Sequence, residues 1–323
     1  MIYDVKQYFG LKTEFQNAGY FETDNYNEIF LDLKAAIQGG HLIALTGIVG
    51  CGKTTTARKI REDLNKEGKI LTSTSLAVDK HRVKLNTLLI SLFADLATDK
   101  EYKIPTQPEL RERRLRELIK QRQKPVALFI DEAHDLHYKT LVGLKRLIEV
   151  IQEATSLFSI VLIGQPKLKI DLNRPTLEEI GNRALILTLE GIRGKEREYM
   201  AWLFEQCLAP DLSSEDVFTE EAIDFLADRL HTPLQINSYA WKALMEAHQI
   251  GQKPVEVETL QTVIAQDLNS LEARLRREGY DMKLLCEHLD AKSKELRDFF
   301  KGRLSAGRTQ EIQNEMLKLG IAG

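Results

Sequence analysis

Two short stretches of the chain carry residues whose types and spacing suit phosphate chemistry. The first runs from Gly47 to Thr54 and reads glycine, four residues, glycine, lysine, threonine. Glycines in such a loop let backbone N–H groups turn inward, the lysine reaches the β- and γ-phosphates of a nucleotide, and the threonine hydroxyl is a ligand for Mg²⁺. The stretch therefore predicts that the chain binds ATP with magnesium.

The second stretch is an apolar run over 126–130 that ends in Asp131 and Glu132. Such a run is typical of a parallel strand covered on both faces, and open α/β sheets bind ligands at the carboxyl ends of their strands. Asp131 is predicted to hold Mg²⁺ with Thr54, and Glu132 to orient and polarise the attacking water. The alternative is that both acids only cap the next helix. The predicted nucleotide-binding residues are Gly47, Gly50, Cys51, Gly52, Lys53, Thr54, Thr55 and Asp131.

The elements that must position these residues alternate between strands and helices. Helical patterns separate apolar runs that predict strands at 42–46, 69–75, 126–130, 158–164 and 184–189. This alternation predicts an α/β fold with a five-stranded parallel sheet. From about residue 196 the pattern is all-helical, as in a small lid. We therefore expect an N-terminal segment packed on the nucleotide site over 1–40, a core over 41–195, a helical lid over 196–255 and a helical tail over 256–323.

Two more polar residues flank predicted strands. Gln165 directly follows the fourth run, where a polar side chain can sense the γ-phosphate, and it is predicted to have this role. The alternative is that Gln165 is only a turn residue. Arg183 directly precedes the fifth run and is predicted to act in trans on the nucleotide of a neighbouring subunit. The alternative for Arg183 is a local surface ion pair, and Arg174 is the other candidate for the trans role.

Composition limits the remaining function classes. Charged residues make up 29% of the chain and the net charge is −3, so any DNA contact must come from a local basic patch. The sequence shows neither an apolar stretch of membrane-spanning length nor the apolar core of a signal peptide. The chain has three cysteines, at 51, 207 and 286. Their odd number does not suit a set of disulfides and their spacing is not that of a metal site, which indicates a reducing cytoplasm. Cys51 is interpreted as a small residue that fills the loop.

These motifs together resemble those of AAA+ ATPases. The resemblance rests on the 47–54 loop, on Asp-Glu-Ala-His at 131–134, on Gly-Gln-Pro at 164–166 and on Arg183. The stretches 8–11, 43–54 and 160–166 resemble the ExeA/TniB/TnsC branch in particular, to which MuB is more distantly related. The resemblance covers roughly residues 5–250. It implies an AAA+ P-loop NTPase core, followed by a helical lid and tail, that hydrolyses ATP.

The resemblance also implies a biological role. Members of this branch regulate DNA transposition, so the chain is expected to form a ring or helical filament on duplex DNA in the bacterial cytoplasm. Its expected partners are a transposase and a target-selection protein. Secretion ATPases of the ExeA type, which normally carry a membrane span and a peptidoglycan-binding region, and other AAA+ modules are the alternatives. A DEAH helicase is disfavoured because the sequence lacks a second RecA-like domain.

The expected DNA contacts are basic residues in two places. Lys80, Arg82 and Lys84 follow the second strand, in a region that lines the ring interior of the transposition relatives. Lys145 and Arg146 lie on the helix after the second acidic motif. Such residues neutralise phosphates without reading bases, so binding is expected to tolerate any sequence and to weaken with salt. A solvated helix start explains the first group equally well.

The predicted lid lacks a common AAA+ arginine, and the predicted tail contains a pair of short helices. The stretch 231–237 offers Gln235 where AAA+ lids often place an arginine, which suggests a slow ATPase that acts as a switch. In the tail, 284–289 and 293–300 read as two short helices joined by a tight turn. They resemble a helix-turn-helix and are interpreted as a docking module for a transposase or targeting protein. A DNA reader and simple packing against the lid are the alternatives.

Overall fold

The computed structural model describes residues 2–74, 85–97, 104–152, 158–173, 177, 183–263, 271–301 and 303–318. It divides into two compact units. The sheet unit comprises residues 24–47 and 53–189. The helical unit comprises residues 1–23, 48–52 and 190–323.

The sheet unit is built on five parallel strands. They are β1 (Leu42–Thr46), β2 (Leu71–Thr74), β3 (Val126–Ile130), β4 (Phe158–Gly164) and β5 (Ala184–Thr188). Their order across the sheet is β2–β3–β4–β1–β5, which confirms the predicted five-stranded parallel sheet. The second strand begins at Leu71 rather than at the predicted residue 69, and the fifth ends at Thr188 rather than Leu189. Every residue of β1, β3 and β4 is buried, as their continuous apolar sequences require.

Helices cover this sheet. Helix α1 (Ile2–Phe9) belongs to the helical unit. The sheet unit contains α2 (Asp24–Gln38), α3 (Lys53–Glu67), α4 (Leu85–Leu96), α5 (Pro108–Arg122), α6 (Tyr138–Gln152) and α7 (Lys167–Leu172). Leu88, Leu92 and Phe93 of α4 are fully buried and share a core with the strands. Each such side chain contributes about 1.5–3 kcal/mol when removed from water, so the core fixes the strand ends that carry the polar residues.

The helical unit has its own core. Its further helices are α8 (Glu196–Cys207), α9 (Glu220–Arg229), α10 (Pro233–Ile250), α11 (Val257–Val263), α12 (Leu271–Arg277), α13 (Met282–His288), α14 (Ser293–Phe300) and α15 (Ala306–Lys318). Phe9 of α1 packs in one cluster with Leu203 and Leu244. The two short helices expected in the tail are present as α13 and α14, so the predicted helical C-terminal region is confirmed. Within the described residues, no helix has both the length and the apolar character needed to cross a membrane.

Candidate nucleotide site

The loop between β1 and α3 has the backbone that its glycines allow. Gly50 and Gly52 have φ angles of +85° and +98°. Side chains other than glycine rarely adopt such angles, because the Cβ atom collides with the backbone. The N–H group of Gly47 donates a hydrogen bond of 3.2 Å to the carbonyl of Gly164 at the end of β4. The start of the loop is therefore tied to the neighbouring strand of the sheet unit.

Helix α3 begins at the lysine of the motif. Lys53 is only 8% exposed, and a buried ammonium group is stable only beside negative charge or strong acceptors. The α3 N-terminus carries the positive end of the helix dipole and free N–H groups, which favour a phosphate at the same place. Burial and helix position together suit Lys53 to phosphate binding.

Thr54 and Asp131 meet across the sheet unit. The Thr54 hydroxyl donates a hydrogen bond of 2.8 Å to Oδ2 of Asp131, which directly follows β3. Both groups offer the hard oxygen atoms that Mg²⁺ prefers, and neighbouring ligands of an octahedral Mg²⁺ lie about 3 Å apart. The pair therefore fits the predicted magnesium site, with the Thr54 hydroxyl and the Asp131 carboxylate as ligands.

Glu132 has an unusual backbone. Its φ and ψ angles are +55° and +38°, in the left-handed region, which costs a residue with a side chain about 1–3 kcal/mol. Its N–H group donates a 2.8 Å hydrogen bond to Oδ1 of Asp131. Asp131 therefore uses one oxygen for Thr54 and the other for the Glu132 backbone. Strain of this kind is found where a side chain must be aimed for function.

His134 lies beside Glu132 on a short 3₁₀ helix, Ala133–Asp135. Its Nε2 atom is 3.4 Å from Oε2 of Glu132, and its Nδ1 atom accepts a 3.4 Å hydrogen bond from the N–H group of Gln165. Burial lowers the pKa of His134, and the nearby Asp135 carboxylate only partly opposes this shift. Sequence reasoning assigned His134 no role of its own, although its place in the Asp-Glu-Ala-His run was the available signal.

Gln165 occupies the predicted position directly after β4. Because β4 lies between β3 and β1, this places Gln165 next to Asp131, Glu132 and the start of the loop. Its Oε1 atom is buried and has no hydrogen-bond donor among the described residues. Buried polar atoms usually have a hydrogen-bond partner, so the Oε1 atom of Gln165 at the tip of β4 is suited to accept a hydrogen bond from a bound ligand.

Comparisons with known proteins indicate the class of fold that carries this site. Residues 36–169 match the AAA domain family. This chain has the AAA+ fold. Over 171 residues it is 27% identical to General secretion pathway protein A of Aeromonas hydrophila, a match that spans 50% of this chain but only 29% of that protein.

Two solved structures support the same AAA+ fold. The ORC2 protein of Aeropyrum pernix, determined in ADPNP and ADP complexes, is 15% identical with a TM-score of 0.59, covering 96% of this chain and 90% of that one. Drosophila ORC bound to DNA is 14% identical with a TM-score of 0.56, covering 100% and 80%. At these identities the likeness concerns the fold.

Arg183 lies at the other end of the AAA+ sheet. It directly precedes β5, whose first residue pairs with Leu42 at the start of β1, whereas Asp131 follows the carboxyl end of β3. Its guanidinium group is 69% exposed and donates a 2.7 Å hydrogen bond to Glu149 of α6. Arg183 is therefore not assembled with the acidic residues of its own sheet unit. The competing candidate, Arg174, lies outside the described residues.

The predicted DNA contacts are described only in part. Lys80, Arg82 and Lys84 fall outside the described residues. Arg146 is exposed on α6 of the AAA+ fold, and Lys145 on the same helix lies 3.7 Å from Glu149. The two described cations therefore lie on one helix, and one of them is held by an acid.

Within the helical unit, the middle of the loop contacts α10 and α12, which lie in the segments predicted as lid and tail. The Leu234 N–H group donates to the Gly50 carbonyl (3.3 Å), and the Val49 N–H group donates to the carbonyl of Arg277 in α12 (2.6 Å). Gln235, where AAA+ lids often carry arginine, is 8% exposed and belongs to the N-terminal cap formed by Thr232. Sequence reasoning did not foresee the contact between α12 and the loop, because nothing local in the sequence signals it.

Proposed function

We propose that this chain is an ATP-dependent regulator of DNA transposition in the bacterial cytoplasm. It oligomerises on duplex DNA and links that DNA to a transposase, and ATP hydrolysis drives disassembly. The observation that carries the enzymatic part is the 2.8 Å contact between Thr54 and Asp131, with Glu132 directly after it. The match of residues 36–169 to the AAA domain family supports the same chemistry.

Each residue of the site has a separate task in hydrolysis. Lys53 and the α3 N-terminus bind the β- and γ-phosphates, and Thr54 and Asp131 hold Mg²⁺. When bound, the ion neutralises charge on the phosphate oxygens. Glu132 accepts a proton from water while the water oxygen bonds to the γ-phosphorus. The bond between that phosphorus and the β–γ bridging oxygen breaks, and ADP and phosphate leave.

The hydrolysis is tested with one substitution and one matched control. Glu132→Gln keeps the size of the side chain but cannot accept the proton, so turnover is expected to fall by about 100-fold or more, with nucleotide affinity retained. Glu109→Gln removes an exposed carboxylate at the start of α5 and is expected to hydrolyse ATP like the original chain. Unchanged turnover in the Glu132→Gln chain would remove Glu132 from this role.

Assembly is supported by the position of Arg183. Since it sits at the end of the sheet opposite Asp131, its guanidinium can serve catalysis only on the nucleotide of another subunit. Electron microscopy with duplex DNA and a slowly hydrolysed ATP analogue tests this idea, and the Glu132→Gln chain is expected to stay assembled with ATP itself. Monomers on naked DNA under both conditions would contradict the proposal.

DNA binding is supported by the solved structure of Drosophila ORC bound to DNA, which shares the fold. We assign the backbone contacts to Lys80, Arg82, Lys84, Lys145 and Arg146. Replacing the first three by alanine should weaken binding similarly for all sequences and flatten the salt slope by about 0.9 for each phosphate that is no longer neutralised. Replacing Arg113, Arg114 and Lys120 of α5 removes the same charge and is the control. Equal effects in both chains would contradict the assignment.

The link to a transposase is assigned to the tail. We propose a core over 41–195, a lid over 196–255, and a tail over 256–323 whose helices α13 and α14 dock the partner, with the segment 1–40 packed on the nucleotide site. A chain that ends after Tyr280 keeps the contact between α12 and the loop but lacks α13 and α14, so it should still bind ATP but should fail to retain a transposase in a pull-down with DNA.

A secretion-associated ATPase is the second candidate. Its support is the 27% identity to General secretion pathway protein A of Aeromonas hydrophila. The response to DNA separates the two roles, because a transposition regulator should assemble faster and hydrolyse ATP differently when duplex DNA is added. If the assembly rate and the rate of ATP hydrolysis are the same with and without duplex DNA, the secretion role is favoured.

A further inference from the structure

His134 is a buried titratable residue to which the proposed hydrolysis assigns no task. Its side chain is only 6% exposed. It lies between two parts of the site: the carboxylate of Glu132 on one side and the backbone of Gln165 at the tip of β4 on the other. A polar ring in such a place is expected to make defined hydrogen bonds on both nitrogens.

The partner of Nδ1 fixes the tautomer of the ring. The group 3.4 Å from Nδ1 is the backbone N–H of Gln165, and a backbone amide can only donate. Nδ1 must therefore carry a lone pair. Burial lowers the pKa of His134 and favours the neutral ring. In a neutral ring whose Nδ1 accepts, the single proton is on Nε2.

Among the carboxylates of the described residues, that of Glu132 lies nearest to Nε2. Oε2 of Glu132 is 3.4 Å away, and Oδ1 of Asp135 is 3.8 Å away. A good N–H···O bond is about 2.9–3.0 Å long, so a small rotation of the Glu132 carboxylate completes it. Catalytic hydrogen bonds are often this long before the substrate binds and shorten afterwards.

A donor beside the Glu132 carboxylate would help to orient that carboxylate. Its backbone is fixed by the left-handed angles and by the hydrogen bond to Asp131. These contacts locate the Cα end of the side chain, and a hydrogen bond from Nε2–H of His134 locates the carboxylate end as well. A donor at that end adds to the orientation that the fixed backbone already provides.

We propose that His134 is the positioning residue for Glu132. Its Nε2–H group holds the carboxylate in the orientation that activates water, and its Nδ1 atom couples that orientation to the backbone of Gln165. Movement of the β4 tip in response to the γ-phosphate would thereby turn Glu132 towards or away from the water. This inference rests on the proposed hydrolysis through Glu132.

Two amide substitutions separate positioning from packing. A glutamine amide at position 134 reaches the place of Nε2 and can donate to Glu132, whereas an asparagine amide reaches only the place of Nδ1. His134→Asn is expected to lower kcat by about tenfold or more, with KM for ATP within about twofold. His134→Gln should keep most of the turnover. Equal kcat losses in both variants, a loss confined to KM, or a wild-type kcat in His134→Asn would overturn the proposal.

A double substitution tests the coupling directly. If His134 acts only through Glu132, then His134→Asn should not lower the residual turnover of a Glu132→Gln chain any further. Independent, multiplying losses would mean that His134 acts elsewhere. If the unsubstituted chain shows no turnover that Glu132→Gln removes, the hydrolysis proposal fails, and this failure is visible before any His134 variant is made.

Nuclear magnetic resonance tests the bond without relying on turnover. In ¹⁵N-histidine-labelled protein, His134, assigned by loss of its signal in His134→Gln, should show a protonated Nε2 and an unprotonated Nδ1. The Nε2–H resonance should shift when Glu132 is changed to glutamine. A proton on Nδ1, or an Nε2–H signal that ignores position 132, would overturn the proposal even if the variants folded poorly.

Discussion

The loop glycine Gly50 offers a sharp test of the structure, because adding a single methyl group there has two separate costs. The first is backbone strain, since its φ of +85° suits glycine. The second is crowding within the helical unit: a Cβ atom would lie 2.8 Å from Cβ of Leu234 and 3.0 Å from Oγ1 of Thr232. Gly194 has a similar φ of +76°, but a Cβ atom added there would meet no described atom within 4 Å. It is therefore a matched control for strain alone.

The expected magnitudes follow from these distances. A left-handed backbone costs an L-residue about 1–2 kcal/mol, and Gly194→Ala should lose this amount. Forcing a methyl group into a packed contact adds about 1–3 kcal/mol, because the Leu234 Cβ atom is close to its backbone and cannot swing away. Gly50→Ala should therefore lose about 2–5 kcal/mol.

The assay is urea unfolding of Gly50→Ala, Gly194→Ala and the original chain, monitored by circular dichroism. Nucleotide affinity of the same three proteins is measured by titration. If the loop shifts to relieve the crowding in Gly50→Ala, the cost appears as weaker nucleotide binding, at about tenfold for each 1.4 kcal/mol. Gly194→Ala should bind nucleotide normally. If Gly50→Ala and Gly194→Ala matched each other in both measurements, the packing of Gly50 on Leu234 and Thr232 would be refuted.

Four further outcomes are expected. Lys53→Ala should weaken nucleotide affinity by about 100-fold or more, since charge-assisted hydrogen bonds are removed; calorimetric affinity near that of the original chain would contradict this. Arg183→Ala should leave the affinity of monomers for nucleotide unchanged but lower turnover of assembled protein by about 10³-fold, and equal turnover would exclude the trans role. Burial raises the pKa of the Cys207 thiol from 9.0 to about 11, so iodoacetamide at pH 8 should modify half-exposed Cys286 well before Cys207, as mass spectrometry would show. The pKa of Cys207 is higher in the folded protein than in the unfolded chain, so the protonated thiol contributes its full stability below pH 9.0 and loses it as the pH rises to about 11. The free energy of unfolding of Cys207→Ala should therefore fall less steeply over this pH range than that of the original chain.

Sequence reasoning found those features whose signal is local. The continuous apolar runs predicted the bounds of β3 and β4, and the glycine-lysine-threonine spacing located the loop, because strand burial and loop conformation each depend on neighbouring residues. The second strand was predicted to start too early, since its pairing with β3 begins at Leu71 and not at Lys69. Helix and strand ends are the least defined part of any such pattern.

The relations that sequence reasoning missed are non-local. His134 matters because β4 lies next to β3 and brings Gln165 to its ring, and strand order cannot be obtained from either strand alone. The hydrogen bond from Val49 to Arg277 joins positions far apart in the chain. Residue types suggested what the site contains, whereas the sheet order decides which of those residues touch.

The strand order also has a consequence for biosynthesis. β1 is the first strand to leave the ribosome, yet it lies inside the sheet, where Leu42 pairs with Ile160 on one side and Ala184 on the other. At about 5–20 residues synthesised each second, the loop strand must wait for several seconds before its neighbours exist. Until then its edges remain open to wrong pairing. A nascent chain truncated before residue 158 should therefore be unable to bind ATP, however complete its phosphate loop.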